Sequence, residues 1–294
     1  SVAAKDHVAQ LANVHPGTVS VNADIGSTPH HPFTRYPIAL TNDGSTVTVT
    51  SPEPARWHID PIRSYWAKLL GKTDWAVEDL VFGLVERFVR RVHLEDPAAM
   101  KALNGKGALY LGNHQTGIES VLFSVITSAL GGVTTAALAK NEHRETWLGK
   151  LIDLWFSYPE VINPELLFFF DRSDPSSAPT IIKQLGQEIA ANRRSVLVHV
   201  EGTRSMRCGK PVTQLSSSFV DMAIAANIPI IPVRFYGGLP TEAKEKRLEF
   251  PLEMGSQDII YGSPIMPEEL ASLPLKARKD KILAAINGTG PAHE

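Results

Sequence analysis

The chain has 294 residues, a formal net charge of -2 at pH 7, 43% hydrophobic residues and 20% charged residues. This composition predicts a globular protein with a sizeable core, long enough for one large domain or two ordinary ones. The near-neutral charge argues against a nucleic-acid-binding protein, which usually carries a strongly basic domain. The single cysteine excludes an internal disulfide bond and fits a reducing compartment, so a cytoplasmic location is expected.

Residues 1–60 differ in composition from the rest of the chain. They are rich in proline and histidine, and only residues 46–50 show a clear alternation of valine and threonine. The segment is predicted to be an N-terminal extension of loops with a short strand or hairpin, and residues 61–294 to be the main domain. His30 and His31 are adjacent, but no further ligand at a useful spacing accompanies them, so no metal site is expected there.

Residues 73–92 are predicted to form a helix. Thr73 is a fair N-cap, and Asp74 lies near the positive end of the helix dipole. The apolar residues from Val77 to Val92 share one broad face, and acidic and arginine side chains share the other. The helix either packs against the core or lies on a membrane surface with its arginines near lipid phosphates.

From residue 108 onward, short apolar runs alternate with helical patterns. Strands are predicted at 108–111, 134–139, 166–170, 195–200, 228–234 and 258–261. Helices are predicted near 118–130, 143–154, 175–192 and 214–226, with a terminal helix at 267–281. This alternation indicates an α/β fold with a mostly parallel central sheet and helices on both faces. Ligand sites in such sheets gather outside the carboxyl ends of the strands.

Residues 120–139 form an uncharged stretch long enough to span a bilayer. The stretch is interrupted by Gly131 and Gly132 and contains several serines and threonines. A helix, a glycine turn and a buried strand explain it better than a membrane span. Peripheral membrane contact stays an open alternative.

The turn after the first of these strands carries a histidine and a carboxylate, His114 and Glu119. They can meet only if His114 lies in the turn and Glu119 in the first helical turn, because five positions along a continuous helix would place them about 140° apart. That placement makes a general base and its orienting acid, which can activate a hydroxyl group. The alternative is a capping box in which Thr116 is the N-cap and Glu119 reaches back.

Two arginines follow other predicted strands. Arg172 comes after an apolar run, and Arg204 follows the strand at 195–200 within a glycine-containing turn. Near His114, two guanidinium groups would favour an anionic acceptor, because their geometry matches phosphate oxygens. The alternatives are a surface ion pair between Asp171 and Arg172 and an ordinary turn at 201–203.

Residues 228–233 are apolar and contain two prolines, Pro229 and Pro232. They are predicted to form a third apolar edge of the sheet. Because proline cannot donate a hydrogen bond to a sheet, the two prolines could instead mark an edge strand.

Four motif blocks occur in the order Asn-His-Gln-Thr-Gly-Ile-Glu, Phe-Phe-Phe-Asp-Arg, Val-Glu-Gly-Thr-Arg-Ser and Ile-Pro-Ile-Ile-Pro-Val. Together they resemble the glycerolipid acyltransferase family, most closely the 1-acylglycerol-3-phosphate (lysophosphatidic acid) acyltransferases, over residues 105–265. The family's first block is usually His-x4-Asp, whereas this chain has Glu119 in the acidic position. The third block usually begins Phe-Pro-Glu-Gly, whereas His199 and Val200 replace the first two residues here.

The resemblance implies a glycerol-3-phosphate acyltransferase-like fold and an acyltransferase domain over 61–294. It implies that His114 deprotonates an acceptor hydroxyl and that Glu119 orients the imidazole. The hydroxyl then attacks an acyl thioester of coenzyme A or acyl-carrier protein without an acyl-enzyme, and a turn N–H near His114 is the expected oxyanion donor. The acceptor is a phosphate-bearing lysolipid, and no metal or further cofactor is implied. Its phosphate would be held by Arg172, Glu201, Gly202, Thr203 and Arg204.

Two alternatives to the transferase remain. Water could replace the acceptor at the same histidine, which would make the protein a thioester hydrolase. The chain could also be an acyl-carrier-docking domain of a larger lipid synthase. A serine esterase is not expected, because the chain has no Gly-x-Ser-x-Gly elbow.

Overall fold

The structure, a computed structural model, describes residues 58–71, 76–170, 175–251 and 257–290. The predicted extension at 1–60 lies almost entirely outside these ranges, as do the strand at 46–50, the pair His30 and His31, the helix start at Thr73 and the Asp171–Arg172 pair. The division into an extension and a domain therefore stays a prediction.

A seven-stranded sheet runs through the described part of the chain in the order β1-β7-β6-β2-β5-β3-β4. All neighbouring pairs are parallel except β6 and β7. The mostly parallel α/β sheet predicted from the alternating pattern is thus confirmed. The strands are β1 (Val89–Leu94), β2 (Leu109–Gly112), β3 (Thr135–Lys140), β4 (Leu167–Phe170), β5 (Ser195–His199), β6 (Ile230–Gly237) and β7 (Gln257–Tyr261).

Helices cover both faces of this sheet. They are α1 (Ile59–Leu70), α2 (Ala76–Phe88), α3 (Pro97–Ala102), α4 (Glu119–Gly131), α5 (Trp147–Trp155), α6 (Ala178–Ala190), α7 (Ser217–Ala225), α8 (Pro267–Ala271) and α9 (Leu275–Gly288). Short 3₁₀ turns at Asn141–Glu145 and Pro175–Ser177 precede α5 and α6. The predicted terminal helix at 267–281 is two helices, separated at Pro274.

The two faces have separate apolar cores. Helices α1 to α5 pack on one face and α6 to α9 on the other. Strand residues alternate between the cores, as the two-residue period of a strand requires. In β2, Tyr110 points into the first core, and Leu109 and Leu111 point into the second.

The uncharged stretch at 120–139 is not a membrane span. It forms most of α4, a left-handed Gly132 with a φ of 68°, and most of β3. Helix α4 is buried nearly all round because α1 covers its outer side, where Trp66 donates a hydrogen bond to the carbonyl of Val125. Among the described helices, none has the length and apolarity needed to cross a bilayer.

The predicted helix at 73–92 is wrong at its C-terminal end. The helix ends at Phe88, and the next residues form β1, which pairs in parallel with β7. The buried carboxylate of Asp258 in β7 binds Arg90 at 2.8 Å and Arg91 at 2.7 Å. These two ion pairs stabilise β1 beside β7. This long-range pairing outweighs the local helical pattern.

The edge-strand interpretation of Pro229 and Pro232 is also wrong. Pro232 belongs to β6 and Pro229 directly precedes it, and β6 lies inside the sheet between β7 and β2. The β6–β7 ladder begins at Val233, so Pro232 lies just outside it. The missing N–H therefore removes no bond from that ladder, and the Pro232 carbonyl still accepts from Gly262.

Candidate active site

The carboxyl ends of β2 and β5 bring two histidines together. The strands are parallel neighbours, and Gly112 pairs with His199 in register. His114 lies two residues beyond Gly112, and its ring stacks on that of His199. The ring centroids are 3.7 Å apart, and the ring planes are within 16° of parallel.

Glu119 contacts His114 as the sequence predicted. Its Oε1 atom lies 2.6 Å from His114 Nδ1, and its side chain is only 1% exposed. The two residues meet because His114 is in the turn and Glu119 is the first residue of α4. A carboxylate oxygen accepts, so His114 Nδ1 carries the proton and Nε2 is left as the basic nitrogen.

The carboxylate also ties the turn to β7. Oε1 accepts a second hydrogen bond from the Gln115 N–H at 2.7 Å. Oε2 accepts from the Thr116 N–H and from Gln257 Nε2. The capping-box alternative is wrong about the N-cap, which is Ile118 and not Thr116, although Glu119 does reach back to the Thr116 N–H. The Thr116 hydroxyl donates instead to the Gln257 amide oxygen.

Burial shapes the protonation of this pair. Burial raises the pKa of Glu119, and the N–H donors around its oxygens oppose that rise. Because all of these contacts are donors, the ionised carboxylate is the form that satisfies the site. Burial lowers the pKa of His114 from 6.5 to about 3, and the positive charges of Arg204, His143 and Lys140 add to the effect. The imidazole is therefore neutral at pH 7 and able to accept a proton.

His199 was not predicted as a site residue. It is the residue that departs from the family's usual phenylalanine, and this departure was the only signal in the sequence. Its Nδ1 lies 2.7 Å from the carbonyl oxygen of Asn113, and its Nε2 lies 2.8 Å from the hydroxyl of Ser120. Burial lowers the pKa of His199 to about 3.

A cleft of about 650 Å³ opens beside these residues. His114, Ser120 and His199 line it together with apolar side chains from β3, β4, β5 and α5. Its cationic side chains are Lys140, Arg204, Arg247 and Lys279. The carboxylates of Glu142, Glu201 and Glu249 line it as well, so its charge is mixed. The apolar wall suits the hydrocarbon part of a ligand, and the cations suit a negatively charged part.

The predicted residues of the Val-Glu-Gly-Thr-Arg-Ser block all line this cleft. Glu201, Gly202, Thr203 and Arg204 follow the end of β5. Gly202 has a φ of 62°, a left-handed conformation that favours glycine, and its N–H donates to the His199 carbonyl. Arg172, the other predicted phosphate ligand, lies outside the described residues.

Arg204 is already engaged in the structure. Its Nη1 donates to the carbonyl of Leu248 and to the carboxylate of Glu249, both at 2.7 Å. The same two residues accept from the N–H groups of Gly117 and Ile118 through their carbonyls. Both contacts of Arg204 use Nη1, so an anion that bound at this atom would compete with Glu249.

The N–H groups of the four residues that follow His114 are bonded within the protein. Those of Gln115 and Thr116 donate to Glu119. Those of Gly117 and Ile118 donate to segment 248–249. The expectation that one of them is a ready oxyanion donor is therefore not supported by the geometry.

His114, Glu119 and His199 form the one cluster of potential metal ligands among the described residues, with ligand atoms within 4.8 Å of one another. Both imidazole Nδ1 atoms in this cluster face acceptors, the Glu119 carboxylate and the Asn113 carbonyl. A metal ion needs a nitrogen lone pair in place of these N–H groups. The arrangement therefore suits proton transfer better than metal binding.

Comparison with known families now adds to the geometry. The sequence model of the acyltransferase family matches residues 90–236, which is half of the chain. The chain belongs to the glycerolipid acyltransferase family. No curated protein matches the chain. The match to the acyltransferase family covers β1 through β6 and includes His114, Glu119, His199 and Arg204.

Proposed function

We propose that this acyltransferase moves a fatty acyl group from a thioester to the hydroxyl of a phosphate-bearing lysolipid such as lysophosphatidic acid. The donor is acyl-CoA or acyl-carrier protein, and no metal or further cofactor takes part. The observation that carries the proposal is the 2.6 Å contact between His114 Nδ1 and Glu119 in a cleft that has an apolar wall and several cationic side chains among its polar ones.

His114 acts as the general base. Its Nδ1 proton is held by Glu119, so Nε2 takes the proton of the acceptor hydroxyl as that oxygen attacks the acyl carbonyl. Glu119 then stabilises the imidazolium that forms. A neutral imidazole with a lowered pKa is a weak base in the ground state, and the adjacent carboxylate offsets this as positive charge develops.

The acceptor's phosphate binds at the cationic side of the cleft. Arg204 is the central ligand, and the phosphate displaces the Glu249 carboxylate from it. Thr203 and the backbone around Gly202 lie in the same turn, and Glu201 fixes that turn by accepting from the Thr213 N–H. The acyl chain lies against the apolar side chains of the cleft, among them Leu148 and Leu167.

A mass-spectrometric transfer assay tests this function. Acyl-CoA and acyl-carrier protein thioesters are each offered with phosphorylated lysolipids, with neutral lysolipids and without any acceptor. The proposal expects an acylated phospholipid from the phosphorylated acceptors and slow thioester loss without an acceptor. Equal thioester loss with and without acceptor, and no acylated product, would instead make the protein a hydrolase.

A further inference from the structure

Glu119 tethers the His114 ring at its Nδ1 atom, 2.6 Å from Oε1. One hydrogen bond at this edge leaves the ring plane free to tilt, and a tilt moves Nε2, the atom that takes the acceptor's proton. Catalytic groups must be held to within about 0.5 Å of the productive geometry, and a displacement of about 1 Å can cost about 10²-fold in rate. A second contact that fixes the ring plane would therefore matter for transfer.

The ring of His199 supplies such a contact. It lies flat against that of His114, with ring centroids 3.7 Å apart and ring planes 16° from parallel. This distance is already a van der Waals separation, which for carbon atoms is about 3.5–4.0 Å. The His114 ring therefore cannot tilt toward His199 without an overlap of atoms. The stack limits the motion that the contact with Glu119 leaves open.

His199 is itself held at both ring nitrogens. Its Nδ1 lies 2.7 Å from the Asn113 carbonyl oxygen, and its Nε2 lies 2.8 Å from the Ser120 hydroxyl. A carbonyl oxygen only accepts, so Nδ1 carries the proton and Nε2 accepts from Ser120. Burial lowers the pKa of His199 to about 3. The ring is therefore neutral and places no positive charge beside His114 when His114 gains a proton.

The Asn113 side chain connects this arrangement to the sheet. Its amide donates to the Phe235 carbonyl at 2.9 Å and accepts from the Phe235 N–H at 2.7 Å. Asn113 is only 4% exposed, and Phe235 belongs to β6. A continuous set of contacts thus runs from β6 through Asn113 and His199 to the ring of His114.

We propose that His199 is a positioning residue for His114, whose ring plane it holds so that Nε2 faces the acceptor hydroxyl. Ser120 contributes by holding His199. The inference rests on the proposed function, in which His114 is the base for direct transfer. A phenylalanine, the residue usual at this position in the family, supplies a flat ring but neither nitrogen contact. Stacking and anchoring can therefore be tested separately.

His199→Phe and His199→Leu form a matched pair for this test. Both lose the two nitrogen contacts, and only phenylalanine keeps a flat ring against His114. We expect kcat for transfer to fall about 3–10-fold in His199→Phe and about 30–300-fold in His199→Leu, with the KM of both substrates changed less than about 3-fold. His93→Phe is the control, because His93 is exposed on β1 and does not line the cleft.

A double-mutant cycle shows whether His199 acts through His114. The two His199 variants are compared again in the His114→Asn background by single-turnover transfer. Without the imidazole there is no ring to position, so the phenylalanine and leucine variants should transfer at the same rate. A general distortion of the cleft would preserve the difference of about tenfold between them, and that result would overturn the proposal.

Urea unfolding shows that each variant is folded under the assay conditions. If His199→Leu does not fold, His199→Asn replaces it, because its amide can still donate to the Asn113 carbonyl but has no ring. An equal kcat in the ring and ringless variants would overturn the positioning role and leave the transferase standing. Thioester loss by the wild type without an acylated product would instead overturn the proposed transfer. The same comparison, made on the rate of thioester loss, would then still test His199.

Discussion

Replacing Glu119 by glutamine removes the group that orients His114. Oε1 accepts from His114 and from the Gln115 N–H. Oε2 accepts from the Thr116 N–H and from Gln257. A glutamine side chain has one oxygen, so its NH₂ group must face one of these two pairs of donors. In either orientation, two hydrogen bonds are lost and donors point at donors.

The cost follows from these contacts. A hydrogen bond to a charged group contributes about 1.5–3 kcal/mol, so two lost bonds amount to about 3–6 kcal/mol before the site relaxes. We expect Glu119→Gln to lower the free energy of unfolding by about 2–4 kcal/mol. If the amide drives His114 into the other tautomer, kcat/KM for transfer should fall by about 10³–10⁴-fold.

Two measurements check this prediction. Urea unfolding gives the change in stability, and the transfer assay gives kcat/KM under conditions where the variant is folded. Glu188→Gln is the matched control, because Glu188 pairs with arginines near the surface of α6, away from the cleft. An unchanged kcat/KM in folded Glu119→Gln would refute the role of the carboxylate.

The other predictions concern the anion site, β1 and the buried histidines. Glu249→Gln should lower the KM for a phosphorylated acceptor about 2–10-fold, because the carboxylate no longer competes for Arg204. Asp258→Asn should cost about 2–4 kcal/mol of unfolding free energy, since its fully buried carboxylate binds two partly exposed arginines of β1. The pKa of His199 is lowered from 6.5 to about 3, so the unfolded chain binds more protons between these values. Because of His199, the free energy of unfolding should therefore fall by up to about 1.4 kcal/mol per pH unit as the pH falls below 6.5.

Each of these predictions has its own control. Arg204→Ala should raise the acceptor KM more than it lowers kcat. If neither Arg204→Ala nor Glu249→Gln changed the acceptor KM, Arg204 would not belong to the site. For β1, the exposed Asp280→Asn should leave the urea midpoint in place. For the histidine, stability measured at about pH 7.5 and about pH 5.5 should change less in His199→Gln than in the exposed-site variant His93→Gln. Equal losses in the two would show that His199 titrates normally in the folded protein.

The local parts of the site could be predicted from the sequence. His114 and Glu119 are five residues apart, and a strand-turn-helix pattern is enough to bring them together. The strand alternation from residue 108 onward likewise predicted β2 to β7 to within two or three residues, because buried parallel strands are short apolar runs.

The long-range parts could not be predicted in this way. The stacking of His199 on His114 depends on β5 lying next to β2, an order that no local pattern carries. Strand β1 was missed because its residues continue the helical pattern of α2, and its strand conformation comes from pairing with β7. Helix α1 packs over α4 through contacts such as the hydrogen bond from Trp66 to the Val125 carbonyl, which joins residues 59 positions apart.

The engagement of Arg204 depends on another distant segment. Segment 248–249 crosses the turn after β2 and occupies the guanidinium from more than forty positions away along the chain. The sequence predicts Arg204 as a ligand of the acceptor's phosphate but carries no sign of these two partners. Arg204 does line the cleft, and its Nη1 atom already binds Leu248 and Glu249 there.

Single-turnover transfer by His114→Asn tests the central claim most directly. The asparagine amide can replace the Nδ1 proton donor to Glu119 and so keep the turn folded, but it has no counterpart of the basic Nε2 atom. The account predicts an unfolding midpoint near that of wild type and a rate of acyl transfer to the acceptor about 10²–10⁴-fold lower. Wild-type transfer by this variant would contradict it.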